Sequence, residues 1–177
     1  RKCKLEQGVA IVVDIGKTHS RISLWAADGR CIERLSRANG IMASGPYPAL
    51  DIAATADWLI EGLAGFAAHP VQAIIPVTHG AAIAGIRGDD IAFAPPDYEW
   101  EPPGDVAADY RRSRDPFAVT GSPALPCGLN IGSQLHYLKA QDPARFGEAT
   151  LLPYAQYWAW LLSGVAVSEV TSLGCHT

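Results

Sequence analysis

The sequence predicts an α/β domain whose sheet opens as a three-stranded antiparallel meander. Val9 to Ile15 is an apolar run of mostly β-branched residues that carries Asp14 near its end, and His19 to Ala27 alternates polar and apolar residues. Asp28-Gly29 then supplies a hairpin turn before a third run, about Arg30 to Leu35. Farther on, helical periodicity alternates with short apolar runs, so the sheet is expected to be mixed and flanked by helices. The 177-residue length suits one domain, or one domain plus an extension, and can bury a sizeable core.

In chain order, Val9 to Ile15 lacks polar alternation and is expected to be buried on both faces. Arg37 to Pro48 carries Gly40, Gly45, Pro46 and Pro48 and reads as a loop. Asp51 suits an N-cap, and Ile52, Ala56, Leu59, Ile60, Leu63 and Phe66 recur at helical spacing, stopping before Pro70. Val71 to Val77 is expected to be a fourth, buried strand that ends at Thr78-His79-Gly80. Ala81 to Ile86 and Ile91 to Ala94 read as a hairpin around Arg87-Gly88-Asp89-Asp90. The polar, proline-rich stretch from Pro95 to Pro126 contains one short helix near Val106 to Arg112, and loops of this length are commonly functional.

Asn130 to about Ala140 is helical, Pro143 opens a second short helix, and Thr150-Leu151-Leu152 is a short strand. Pro153 suits the first position of a helix over Tyr154 to Leu162, with Gly164 stopping it. Ala149 to Ser168 is uncharged, but Pro153, Gln156, Ser163 and Gly164 argue for a strand end, a buried helix and a loop, not a membrane span.

Composition narrows the function. A 49% hydrophobic and 18% charged chain is expected to fold as a soluble protein. The net charge of -4 offers no basic face for a nucleic acid. Cys3, Cys31, Cys127 and Cys175 are scattered without a CxxC pair, which suits free thiols in a reducing cytoplasm. Arg1-Lys2-Cys3-Lys4 is followed by no apolar core of a signal peptide. No HExxH, GxSxG or paired Cys/His spacing directs the reading to hydrolysis or redox chemistry.

The chemistry concentrates in Asp14-x-Gly16-Lys17-Thr18, followed by Arg21. Together these offer a carboxylate for Mg²⁺ or its waters, a glycine that admits close backbone approach, turn N–H groups, a hydroxyl and cations for phosphate. By itself the same turn also suits a hairpin closed by Asp and Gly for turn chemistry alone. It is neither a Walker A loop nor a GxGxxG fingerprint, and Gly80-x-x-x-x-Gly85-Ile86-Arg87 lacks the Lys-Ser/Thr pair. His79-Gly80 follows a strand carboxyl end, where ligand sites of α/β sheets gather, although a lone strand-end His also serves as a cap. Asp97-Tyr98-Glu99-Trp100 with Asn130 and Gln134 forms an aromatic and amide-rich set suited to a sugar, or to ordinary loop polarity. Ser168-Glu169-Val170-Thr171-Ser172 is a further polar edge.

In this order the segments resemble the N-terminal domain of the FGGY carbohydrate kinases, the group of glycerol, xylulose, fuculose and rhamnulose kinases. Asp14-x-Gly16-x-Thr18-x-x-Arg21 is similar to the family's first phosphate motif, and Thr78-His79-Gly80 to its substrate-proximal strand end. Val119-Thr120-Gly121 through Pro126, Gln134-Leu135-His136-Tyr137-Leu138-Lys139, Pro143, Leu162-Ser163-Gly164 and Ser168 to Leu173 continue the pattern. The resemblance implies an actin-like, ribonuclease-H-like domain and an ATP- and Mg²⁺-dependent transfer of phosphate to a ketose or polyol hydroxyl. It assigns Asp14 to the metal and Gly16, Lys17, Thr18 and Arg21 to the phosphates. His79, Gly80, Asp97 and Asn130 would then face the sugar. The His-Gly pair resembles the ketose kinases, and the Arg-Glu pair of glycerol kinases is missing.

The implied partners are a small-molecule sugar, the C-terminal kinase domain and a second copy in a homodimer, in the cytoplasm, without membrane or nucleic acid. The family's general-base Asp is expected beyond Thr177, so residues 1–177 by themselves are expected to be inactive. A non-catalytic sugar- or nucleotide-binding domain of this fold, or another actin-like ATPase, are the alternative readings.

Overall fold

The computed structural model describes residues 8–173, so Cys3, Cys175 and Thr177 lie outside the described residues, as do the side chains of Thr171 and Leu173. Strands β1 (Val9–Ile15), β2 (His19–Ala26), β3 (Cys31–Ala38), β4 (Ile41–Met42) and β5 (Ala49–Leu50) precede helix α1 (Ile52–Gly65). Strands β6 (Val71–Thr78), β7 (Ile83–Arg87) and β8 (Asp90–Phe93) follow, then helices α2 (Gly104–Ser113), α3 (Phe117–Thr120), α4 (Ile131–Gln141) and α5 (Pro143–Glu148). Strand β9 (Thr150–Pro153), helix α6 (Tyr154–Ser163) and helix α7 (Val170–Leu173) complete the order. The chain divides into two compact units, with Ile41–Leu50 joining the residues from Gly80 onward and Asp51–His79 joining those up to Gly40.

The first unit holds a mixed sheet of order β3-β2-β1-β6. The meander pairs antiparallel, and β6 adds to β1 in parallel after the crossover through α1. Asp51 caps α1 as expected: its Oδ1 accepts the Ala54 N–H at 3.0 Å. Leu59 and Phe66 of this helical segment share the unit's core residues with Ile11, Val13, Ile15, Ile22 and Leu24. Gly62 lets α1 lie close to β2, since a Cβ there would stand 2.5 Å from Ile22 Cδ1.

Three expectations for this unit need correction. β1 alternates in burial, with Val9, Ile11, Val13 and Ile15 inside and Ala10, Val12 and Asp14 half-buried, so only one face is fully covered. β3 runs on to Ala38, because its end pairs with the His19 end of β2, and the expected loop starts correspondingly later. β6 is not a buried strand. It lies at the sheet edge, with Ile74 at 40%, Ile75 at 46% and Val77 at 45% exposure. An apolar run reports what a strand can bury, whereas its position in the sheet decides what it does bury.

The second unit holds the antiparallel sheet β8-β7-β9 and the short β4–β5 pair, which the loop reading of Arg37 to Pro48 did not foresee. The predicted β7–β8 hairpin forms, with Gly88 at φ 59° in its turn. Tyr47, Ala49, Ala92, Phe93, Tyr137 and Leu138 make one core cluster, with Trp100 and Phe146 packed against it. Trp100 meets Tyr137 edge-on at 4.8 Å, so this ring of the proposed sugar set belongs to the packing. Pro153 ends β9 and caps α6, one position earlier than predicted, and Gly164 at φ 72° closes the helix as expected. The uncharged stretch thus splits between β9 and α6, and no helix among the described residues is long and apolar enough to cross a membrane. Cys31 and Cys127 are free thiols.

Candidate functional site

In the first unit the predicted phosphate residues are brought together by hairpin register. Asp14 and Arg21 are direct cross-strand partners. The Arg21 guanidinium donates to Asp14 Oδ2 at 3.2 Å, with both side chains about half exposed (47% and 44%). At that exposure the pair adds at most about 1 kcal/mol to stability, so its consequence is orientation. The turn between them is tight: Gly16 N–H donates to His19 O at 2.9 Å, and a Cβ on Gly16 would stand 3.0 Å from that same oxygen. Thr18 is exposed, with its hydroxyl 3.2 Å from His19 Nδ1, and Lys17 is half-buried.

Two residues that the sequence reading missed hold this turn. Asn39, just past β3, donates from Nδ2 to Gly16 O at 2.7 Å and from its backbone N–H to Thr18 O at 2.9 Å. Ser20, fully buried, donates to Asn39 Oδ1 at 3.0 Å. The available signal was a polar residue at a buried position of β2; nothing local announced Asn39.

The parallel β1–β6 register pairs Ile15 with Thr78, so His79 comes directly after the strand end beside Gly16. His79 is half-buried, and its carbonyl accepts the Thr78 hydroxyl at 2.9 Å. Strand carboxyl ends carrying a turn of this kind are where α/β sheets place ligands.

The residues at the turn fit a phosphate and its magnesium ion. An accessible carboxylate, a guanidinium, a hydroxyl and a glycine-tight turn converge within one hairpin. Among the described residues no group of three His, Cys, Asp or Glu could hold a metal.

The remaining predicted residues lie in the second unit. Gly80 is exposed and precedes Ala81, which has φ 53°. Asp97 organises its own turn: Oδ1 accepts Glu99 N–H at 3.0 Å, its carbonyl accepts Trp100 N–H at 2.9 Å, and its N–H donates to Pro48 O at 2.8 Å. Asn130 is 1% exposed. Its Oδ1 accepts Leu125 N–H at 2.9 Å, and Nδ2 donates to Pro123 O at 3.1 Å. That amide braces the 122–125 loop and lines a cavity of about 420 Å³ with Glu101, Tyr110, Arg114 and Cys127. Burial raises the Tyr110 phenol above its usual range, partly offset by the Arg114 cation. Gln134, grouped with Asn130 by sequence, is equally buried and bonds backbone carbonyls. Glu169 accepts Ser172 N–H at 2.6 Å, a local bond at the start of α7.

No protein-family model and no curated protein matches the sequence. Solved structures do. A carbohydrate kinase from Novosphingobium aromaticivorans is 54% identical with a TM-score of 0.92, covering 97% of this chain and 37% of that one. Xylulose kinase from Rhodospirillum rubrum (20% identity, TM-score 0.78, 94% of this chain and 37% of that) shares the fold. So does gluconate kinase from Lactobacillus acidophilus (14% identity, TM-score 0.73, 96% and 36%). The actin-like, ribonuclease-H-like expectation is borne out. This chain, spanning little more than a third of those proteins' length, is similar in sequence and fold to a carbohydrate kinase and in fold to xylulose and gluconate kinases.

Proposed function

We propose that the longer protein to which this chain corresponds is an ATP-dependent carbohydrate kinase acting on a hydroxyl of a ketose or polyol. The observation that carries this reading is the Asp14–Arg21 turn at the carboxyl end of β1, in a chain 54% identical to a carbohydrate kinase. ATP with Mg²⁺, when bound, supplies a polarised γ-phosphoryl group for in-line transfer. Asp14 would hold the ion through its carboxylate, with Arg21 keeping that carboxylate oriented and lending charge to the phosphates. Thr18 offers its hydroxyl, Gly16 its close-approaching backbone and Lys17 a second cation. His79, Gly80 and Asp97 meet the sugar hydroxyls, and Asn130 contributes by bracing the 122–125 loop. The general base belongs to a part of the protein outside this chain, so residues 1–177 alone give negligible turnover. Transfer needs nucleophile, phosphates and metal held together in a closed site, which exposed half-sites do not provide.

The test is a coupled ATP-turnover screen of the full-length protein across ketoses and polyols. Sugar-dependent ADP formation supports the kinase. ATP hydrolysis without sugar dependence replaces it with an actin-like ATPase, and ligand binding without turnover replaces it with a binding domain.

A further inference from the structure

Two non-glycine residues among the described residues have positive φ, Ala81 and Cys127, both at 53°. L side chains rarely occupy this region, and such positions persist only where their surroundings over-determine them. The two sit far apart in sequence, yet one side chain serves both. Gln134, in the first turn of α4, donates from Nε2 to Ala81 O at 2.7 Å and to Gly128 O at 2.6 Å, and Gly128 directly follows Cys127.

The chemistry of that node is selective. Two carbonyl oxygens that converge repel each other unless a donor stands between them, and a primary amide nitrogen brings two N–H groups. Turning the amide over would set Oε1 against both carbonyls, so the two acceptors fix its orientation. Oε1 itself is buried without a hydrogen-bond partner among the described residues, so Gln134 is held for what its nitrogen does. The node also extends. Gly128 N–H donates to Tyr98 O at 3.0 Å, within the turn that Asp97 organises. A Cβ on Gly128 would come within 3.1 Å of Tyr98 Cα and 3.5 Å of Gln134 Cγ, so the two backbone segments and the Gln134 stem are in close packing.

We propose that Gln134 is the positioning residue of the sugar-facing wall. Its amide holds the strained residue Ala81 and, through Gly128, the strained residue Cys127, and so fixes Gly80 and the Asp97-Tyr98 turn beside them without touching the sugar. This deepens the kinase reading and rests on it for the identity of the ligand as a sugar.

The experiment compares full-length wild type with Gln134→Met, which keeps length and removes both donors, and Gln134→Asn, which keeps the amide on a shorter stem. Leu138→Ala, in the same helix, controls for lost stability. The expected result for Gln134→Met is a sugar KM raised about tenfold with the ATP KM within about twofold. Backbone hydrogen exchange at residues 80–82, 98 and 127–128 is expected to rise about tenfold over the rest of α4's surroundings. Adding Ala81→Gly to Gln134→Met is expected to recover part of the sugar KM, since glycine holds positive φ without the clamp. Gln134→Asn falls between, and carries the test if the Met variant does not fold. Equal movement of both KM values, the same split in Leu138→Ala, or unchanged exchange at those residues overturns the proposal. A wild-type enzyme without sugar-dependent turnover overturns the functional reading instead, and the exchange data then decide the clamp by themselves.

Discussion

The Asp14 turn and the Gln134 node are built in opposite ways. The turn is local: eight residues of one hairpin, Asp14 to Arg21, bring its two end residues face to face through strand register alone and leave both about half exposed. The node is non-local and buried. It joins Ala81, Gly128 and Gln134 through one amide and holds backbone conformations that no local preference supports. Groups that do chemistry must meet a ligand, so they sit on exposed motifs; groups that set geometry must be shielded and over-determined. The first kind is readable as a motif, while the second emerges only when distant segments meet.

Four experiments sharpen or break that contrast. The largest effect is expected from Asp14→Ala in the full-length protein. ATP turnover should fall about 100-fold or more, while the thermal midpoint stays nearly unchanged because the ion pair is exposed. Unaltered turnover would show that the turn is only a hairpin closure.

Next is His79→Ala, expected to raise the sugar dissociation constant about tenfold with ATP binding little affected, as calorimetry with each ligand would show. Weakening of both ligands alike would place His79 in the scaffold.

Asn39→Ala comes third. It removes the donor to Gly16 O and the acceptor of Ser20, so denaturant unfolding should show a loss of about 1–2 kcal/mol, with ATP affinity reduced. Stability lost without any change in ATP affinity would separate the turn's shape from its chemistry.

The smallest effect concerns buried phenols elsewhere in the second unit. Burial, opposed by the Arg145 cation and reinforced by Tyr137, pushes the Tyr47 phenol up to about 12, and burial does the same for Tyr157. Their folded values lie above the unfolded 10.0, so the stability they confer is complete below pH 10 and is lost as pH rises through about 12. Tyrosinate absorbance should therefore appear together with unfolding of this packing. Ionisation of all tyrosines near pH 10 in a still-folded protein would contradict it.

Much of the frame was legible. The three-strand meander, the Asp51 cap, the β7–β8 hairpin and the α4 helix follow from periodicity, turn residues and capping, which act over a few residues. The motif at Asp14 was legible for the same reason. Less legible was the edge position of β6, because Ile74, Ile75 and Val77 look alike in a central and an outer strand. The roles of Asn130 and Gln134 were also hidden. Amides in an aromatic-rich stretch read as sugar contacts, yet Asn130 donates to Pro123 O in its own loop and Gln134 to the carbonyls of Gly128 and distant Ala81.

By itself the sequence determined most of the longer secondary elements and the chemical inventory of the turn, because both depend on residue types at fixed local spacing. Only the tertiary structure decided which apolar strand lies at the edge, that Asn39 and Ser20 brace the turn, and that one amide bridges two strained segments. Those outcomes depend on which backbone groups, far apart along the chain, are left needing a partner once the sheets and helices have packed.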